Sequence, residues 1–446
     1  MRKREEWLMM RRDAWREYSR GTLWLMPLVS VMLSIALGAV FARIDVGRES
    51  LLAFQGTADD ARTLLIGITS TMVTVIALLL GLAVVALQLS STQFSPRLLR
   101  NFLRDRPNQV VLSVFVGTFS YSAAGLFDVG VAGGERVDDF PRFAVAVAVV
   151  LLFLSLALLV FFADHLAHSI QVDHILMVVE RATLPVIARL TVTVARAPAA
   201  PSGALMVAAT SSGYVQFVHV ERLLAAATAR RVNIRLRPRV GEHVVAGSTL
   251  AWVWPTSGAD GQSSVAGIAS VVDDAVRIGF ERTDEMDPAL GMRQLCDTAC
   301  KALSPAINDP YTAIQACEHL SVLFAALAAR PLGDTVVRDA QRSVLVAVPA
   351  RSFTEYLALF AGLIRRFGAS EPTVIAAMLR LLVVTVEAMG VEPDRWAAVE
   401  NEADLLVVAA QRAVIEPADL EVVNRERAAL QHLLLVRQAA VREESG

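Results

Sequence analysis

The chain has 446 residues, a net charge of −2, 54% apolar residues and 19% charged residues. An ordinary soluble protein carries about 45–50% apolar and about 25% charged residues, so the apolar excess must be housed outside water, and near-neutrality removes any global electrostatic case for a nucleic-acid partner. Lysine occurs only at Lys3 and Lys301, which confines Schiff-base or lipoyl chemistry to Lys301, and Cys296, Cys300 and Cys317 are too few and too clustered for a disulfide framework.

Residues 1–21 form a basic amphipathic segment with Arg2, Lys3, Arg4, Arg11, Arg12, Arg16 and Arg20. Four apolar stretches follow, at 22–42, 64–89, 109–127 and 143–163, none with an internal charged residue or histidine. Each is long enough to cross a bilayer, which takes roughly 20 apolar residues as helix. Together they define a four-span transmembrane domain over 22–164. The loop after the second span carries Arg97, Arg100, Arg104 and Arg106, whereas the first and third loops are mostly acidic, with Asp45, Glu49, Asp59, Asp60, Glu135, Asp138 and Asp139. Cytoplasmic loops retain Lys and Arg. This predicts both termini on the cytosolic side of the membrane.

The second span places Gly67, Thr71, Thr74, Gly81 and Gln88 at multiples of about 3.5 residues, a small and polar stripe on an otherwise apolar helix. Ser113, Gly117 and Ser120 form a similar stripe in the third span. Such stripes serve close helix packing or line a pore or groove in a homo-oligomer, and both readings stand. After the second span, Ser95 and Pro96 start an interfacial amphipathic helix. Its Arg97, Arg100 and Arg104 either anchor on anionic lipid or ring the cytosolic mouth of a pore. Asp164, His165, His168, Asp173 and His174 close the membrane region as a polar collar, since no thiolate or third aligned histidine completes a metal set.

A connecting helix to about residue 195 and the linker ARAPAAPSG occupy 165–203. From 204 to 282 the pattern changes to ALMVAAT, GYVQFVHV, VNIRLRPRV and TLAWVWP, short strands with a helix near 220–230, and predicts a small β-rich module. The stretch RVGEHVVAGSTLAWV has the glycine-turn cadence of biotinyl/lipoyl-like sandwiches, but without the hairpin lysine that carries their cofactor. Residues 283–446 read as a mostly helical cytosolic domain, with helices near 311–330, 351–367, 371–390, 393–413 and 416–442 and a hairpin at 335–349. The expected fold class is therefore mainly α: a four-helix transmembrane region followed by a cytosolic α+β region.

ALSPAINDPYTAIQACEHL stops one helix and starts another, with Asp309 as N-cap and Pro310 at the first helical position. Glu281, Arg282, Asp284, Asp287, Asp297 and Asn308 crowd the same region. They form either a buried polar network that fixes the loop or the lining of a ligand or subunit contact, with the Asp309 charge expected to pair with Arg282 or Arg293. Cys296, Cys300 and His319 lack a fourth ligand for zinc. No nucleophile elbow, Walker loop, dinucleotide fingerprint or zinc-protease motif occurs, so neither an enzyme nor a cofactor is expected.

The stretches QLSSTQFSPRLLRNFLRD, VFVGTFSYS, GFERTDEMDPALGMRQLCDTACKALSPAINDPYTA and RSFTEYL…IRRFGA resemble the bacterial predicted membrane proteins grouped as domain of unknown function 2254. The resemblance covers most of the chain, including Phe94 to Arg97, Glu281 to Thr283, Asp287, Asp297 and Ser304 to Pro310. It implies four N-terminal spans and a cytosolic C-terminal region, and supplies no activity. Two functions are compatible with these residues. One is an oligomeric channel or pore with a cytosolic regulatory module. The other is a membrane-anchored ligand-binding or scaffold protein without transport activity.

Overall fold

The computed structural model describes residues 24–44, 46–47, 50, 52–93, 106–129, 140–169, 171–190, 197–256, 267–341 and 343–444. The chain divides into two compact units, one ending at His174 and the other starting at Ile175. Arg97, Arg100 and Arg104, with the basic segment 1–21, lie outside the described residues.

The first unit consists of α1 (Leu25–Phe41), α2 (Ala58–Gln93), α3 (Arg106–Val129) and α4 (Arg142–Ser169). Three helices are long and apolar enough to span a membrane, over Ala58–Val85, Arg106–Val129 and Arg142–Ser169. Helix α1 is apolar but has 17 residues, about 26 Å at the usual rise, against a hydrocarbon core of about 30 Å. Of the four expected spans, three are thus long enough as described and the first is a shorter apolar helix. Leu65, Ile68, Met72 and Leu79 of α2 pack with Val111 and Phe115 of α3 and Val145 and Ala148 of α4. Polar ties join these helices to one another. Thr118 Oγ1 and Ser155 Oγ are 3.0 Å apart, and the Tyr121 hydroxyl donates to the Ala144 carbonyl at 3.0 Å. Arg142 donates to the carbonyls of Phe54 at 2.8 Å and Gly56 at 3.0 Å, holding the α1–α2 connection.

The boundary falls within α5 (Val172–Ala188), most of which belongs to the second unit and which ends earlier than the expected limit near 195. The β-rich part contains β1 (Leu205–Ala208), β2 (Gly213–Val218), α6 (Val220–Arg230), β3 (Val232–Leu236), β4 (His243–Val244), β5 (Thr249–Pro255), α7 (Ile268–Ala275) and β6 (Val276–Gly279). Gly241 and Gly247, at φ +82° and +84°, make the turns on either side of β4, as the glycine cadence predicts. Helix α8 (Pro288–Ala302) and α9 (Pro310–Ala328) follow, then β7 (Thr335–Arg338) and β8 (Leu345–Val348). The remaining helices are α10 (Phe353–Gly368), α11 (Pro372–Ala388), α12 (Pro393–Ala413) and α13 (Leu420–Glu444).

The strands form a five-stranded sheet in the order β1-β5-β3-β8-β7 and a three-stranded sheet in the order β4-β2-β6. The β7–β8 hairpin thus leaves its neighbouring helices and joins the β-rich part. It does so through a parallel β3–β8 pair, with Ile234 opposite Val346 and Arg235 opposite Ala347. Val232, Ile234, Leu236, Val253, Val344 and Val346 share one core with Leu223 of α6 and Ile268 of α7. In the helical part, Phe324 meets Phe353 and Phe360 at ring-centroid distances of 5.2 and 5.1 Å. Ser352 and Glu355 form a capping box that starts α10. Arg395 of α12 donates to the carbonyls of Ala328 and Arg330, both at 3.0 Å, and so satisfies the end of α9.

Candidate functional site

The two small-residue stripes have opposite surroundings. On α2, Gly67, Thr71, Thr74, Gly81 and Gln88 all lie on the exposed face, while Leu79 on the opposite side is 3% exposed. A Cβ added at Gly67 or Gly81 would meet nothing within 4 Å. Among the described residues, this face of α2 is exposed from Gly67 to Gly81. On α3, Gly117 and Ser120 are buried and Ser113 is half-buried. Ser30 of α1 donates to the Ser113 carbonyl at 2.7 Å, and Ser113 itself donates to the Gln109 carbonyl at 2.6 Å. A Cβ on Gly117 would stand 2.5 Å from Ser30 Oγ and 2.8 Å from Ser34 Oγ. The residues of α3 are thus taken up by close packing within one protomer, where small side chains let helix backbones approach.

In the second unit, the six crowded polar residues separate into local groups. Asp287 occupies the N-cap position of α8, yet its side chain makes no capping hydrogen bond. Its carboxylate is 2% exposed and receives Arg282 Nε at 3.0 Å and the Arg282 Nη2 group. Arg351 Nη1 stands 3.6 Å from the other carboxylate oxygen. The carboxylate lies against Gly241, where a Cβ would collide with Asp287 Oδ2. One buried acid therefore joins the turn before β4, the loop after β6, the start of α8 and the approach to α10. Beside it, Arg239 Nη1 pairs with Glu355 Oε1 at 2.9 Å. Burial opposes ionisation of Glu355, but the Ser352 backbone N–H and the Arg239 guanidinium outweigh it and hold the carboxyl below its ordinary range. Burial raises the Tyr356 phenol well above its ordinary value. Gly241, Arg239, Arg351 and Tyr356 were not singled out as site residues from the sequence. The glycine cadence and the RSFTEYL stretch were their only local signals.

The other candidates stand apart. Glu281 is exposed, and Gln216 Nε2 donates to its backbone carbonyl at 2.8 Å. Asp297 pairs with Arg293 one turn earlier on α8, at 2.6 Å. Asn308 is exposed with φ +49°. Asp309 accepts the Thr312 N–H at 3.1 Å and the Thr312 hydroxyl at 2.6 Å. Since Arg282 and Arg293 are engaged by Asp287 and Asp297, the expected pairing of Asp309 with either arginine gives way to helix capping. Cys296 and Cys300 have their sulfurs 4.0 Å apart, while His319 pairs with Glu180 at 2.6 Å. Among the described residues, no group of three or more His, Cys, Asp or Glu is arranged to hold a metal ion.

The family described as predicted membrane protein (DUF2254) matches residues 20–383. An uncharacterized protein of Mycobacterium tuberculosis (strain ATCC 25618 / H37Rv) is 41% identical over 425 residues, covering 92% of this chain and 80% of the relative. An uncharacterized protein of Mycobacterium bovis (strain ATCC BAA-935 / AF2122/97) is likewise 41% identical over 425 residues, with the same coverage. No solved structure matches. Three membrane-length helices and a match over most of the chain agree, and the chain belongs to the DUF2254 family of predicted membrane proteins.

Proposed function

We propose that the protein is an oligomeric channel or pore of the bacterial inner membrane, with α2 facing the axis and the second unit as its cytosolic regulatory module. In this reading α1 is the fourth span and both termini are cytosolic, as the arginine bias of the loops requires. The observation that carries the reading is the stripe on α2, with Gly67, Thr71, Thr74, Gly81 and Gln88 on the exposed face. Small and hydroxylated residues gain little from lipid, whereas close approach of a second helix, or water in a conduit, suits them. The apolar residues of the opposite face are already used by the core of the same protomer.

Planar-bilayer recording and mass measurement in detergent test the proposal together. The expected result is a defined oligomer that conducts, with both properties weakened by Gly81→Leu. A monomer that is electrically silent across salts and pH overturns it, and would favour a membrane-anchored binding protein.

A further inference from the structure

We infer that the five-stranded sheet carries a binding groove for a small organic anion with a flat ring, of the size and chemistry of a mononucleotide or an aromatic carboxylate. The groove is a shallow one, open to solvent, of about 400 Å³, lined by Pro198, Pro201, Asn233, Trp254, Arg338 and Leu345, with smaller contributions beside them. That volume lies within the range of roughly 300–1,000 Å³ usual for small-molecule sites. The inference is independent of whether the membrane unit conducts.

The walls are fixed before any ligand arrives. Arg235 donates to the Pro198 carbonyl at 2.9 Å, which ties the segment before β1 to the sheet. The Ala204 N–H closes a turn on the Pro201 carbonyl at 3.0 Å. Trp254 packs against Ala197, Val336, Leu345 and Ala347 and stands opposite Asn233 in the β3–β5 register. Its indole is therefore a held, half-buried face, of the kind on which a planar ring stacks.

The polar groups select for negative charge. Arg338 is exposed, and among the described residues it has no ion pair or hydrogen bond. The Asn233 Oδ1 atom accepts the Leu345 N–H at 2.9 Å, which leaves the amide NH2 as a donor. The neighbouring acid, Asp339, accepts the Val344 N–H at 2.9 Å and the Ser343 hydroxyl at 2.8 Å within its own turn. It is absent from the groove lining. A guanidinium and an amide donor beside an aromatic face, with no acid among them, match a phosphate or carboxylate attached to a ring.

The test uses the full-length protein in detergent, titrated calorimetrically with AMP, 4-hydroxybenzoate and inorganic phosphate. Saturable binding of AMP or 4-hydroxybenzoate at one site per chain is expected, with phosphate alone at least about tenfold weaker. Arg338→Gln and Trp254→Leu should each weaken binding by at least about tenfold, while Trp254→Phe retains most of it. Arg338→Gln should leave the melting temperature unchanged, because the side chain it replaces has no partner to lose. No saturable binding of either ring compound overturns the inference. So does binding untouched by Arg338→Gln, or phosphate binding as tight as that of AMP.

Discussion

At Gly241 two demands coincide. The backbone sits at φ +82°, and the space a Cβ would fill belongs to the Asp287 carboxylate. Gly247 has a similar φ of +84°, but its Cβ would enter open space. Gly247→Ala should then cost about 1 kcal/mol through backbone strain alone. Gly241→Ala should cost about 3 kcal/mol or more, since it also pushes a buried acid away from two arginines. Melting temperatures of the two variants check this, and equal losses would show that the Asp287 contact contributes nothing. Asp309 makes a different demand. As a cap it should tolerate Asn with little change and lose about 1 kcal/mol as Ala; an Asn variant as unstable as Ala would restore a charge role. The cysteines can be read chemically. Burial pushes the Cys317 thiol up to about 12, and the Cys300 hydrogen bond together with burial raises Cys296. Alkylation of the native protein near neutral pH, followed by mass spectrometry, should therefore mark Cys300 alone, because the thiolate is the reacting form.

Helix periodicity announced both small stripes, but it could not tell which was already covered. That depends on where α1 lies, and α1 reaches α3 through Ser30, Ser34 and Gly117. The two glycines should accordingly respond differently to the same change. Gly117→Leu forces α1 away from α3 and should lower the yield of folded protein. Gly81→Leu points into open space within the protomer and should leave folding intact while disturbing the oligomer. Size-exclusion profiles and melting temperatures in one detergent separate these outcomes. If Gly81→Leu unfolds the protein as Gly117→Leu does, the α2 stripe is packing material too. Leu79→Ala serves as the contrast on α2, because it removes a buried side chain of the core and acts on stability instead of assembly.

For the whole molecule, the most consequential feature is the β7–β8 hairpin, which follows two helices in sequence yet completes the sheet beside β3. A fragment of 204–282 would lack Val344, Val346 and Val348 from its core and expose β3 as an open edge. It should be recovered unfolded or aggregated, whereas 175–444, which keeps the buried face of α5, should give a cooperative melt; a soluble, cooperatively folding short fragment would show that the hairpin is dispensable.

Although it gave no sign of α7 or β6, local pattern by itself determined the apolar stretches, the glycine turns around β4, strands β1, β2, β3 and β5 and most helix limits. Each of these is set by neighbours within a few residues: periodicity, caps, and prolines at first helical positions. The sequence also made the 281–310 region conspicuous through its density of charge. Tertiary structure alone decided which acid met which arginine, separating Asp287, Asp297 and Asp309 into three arrangements with different partners. It alone placed β8 between β3 and β7, since parallel strands pair across a long connection whose ends carry no mark of their partners. And it alone left the α2 stripe exposed among the described residues while covering that of α3, because burial is a property of what packs against a face and not of the face itself.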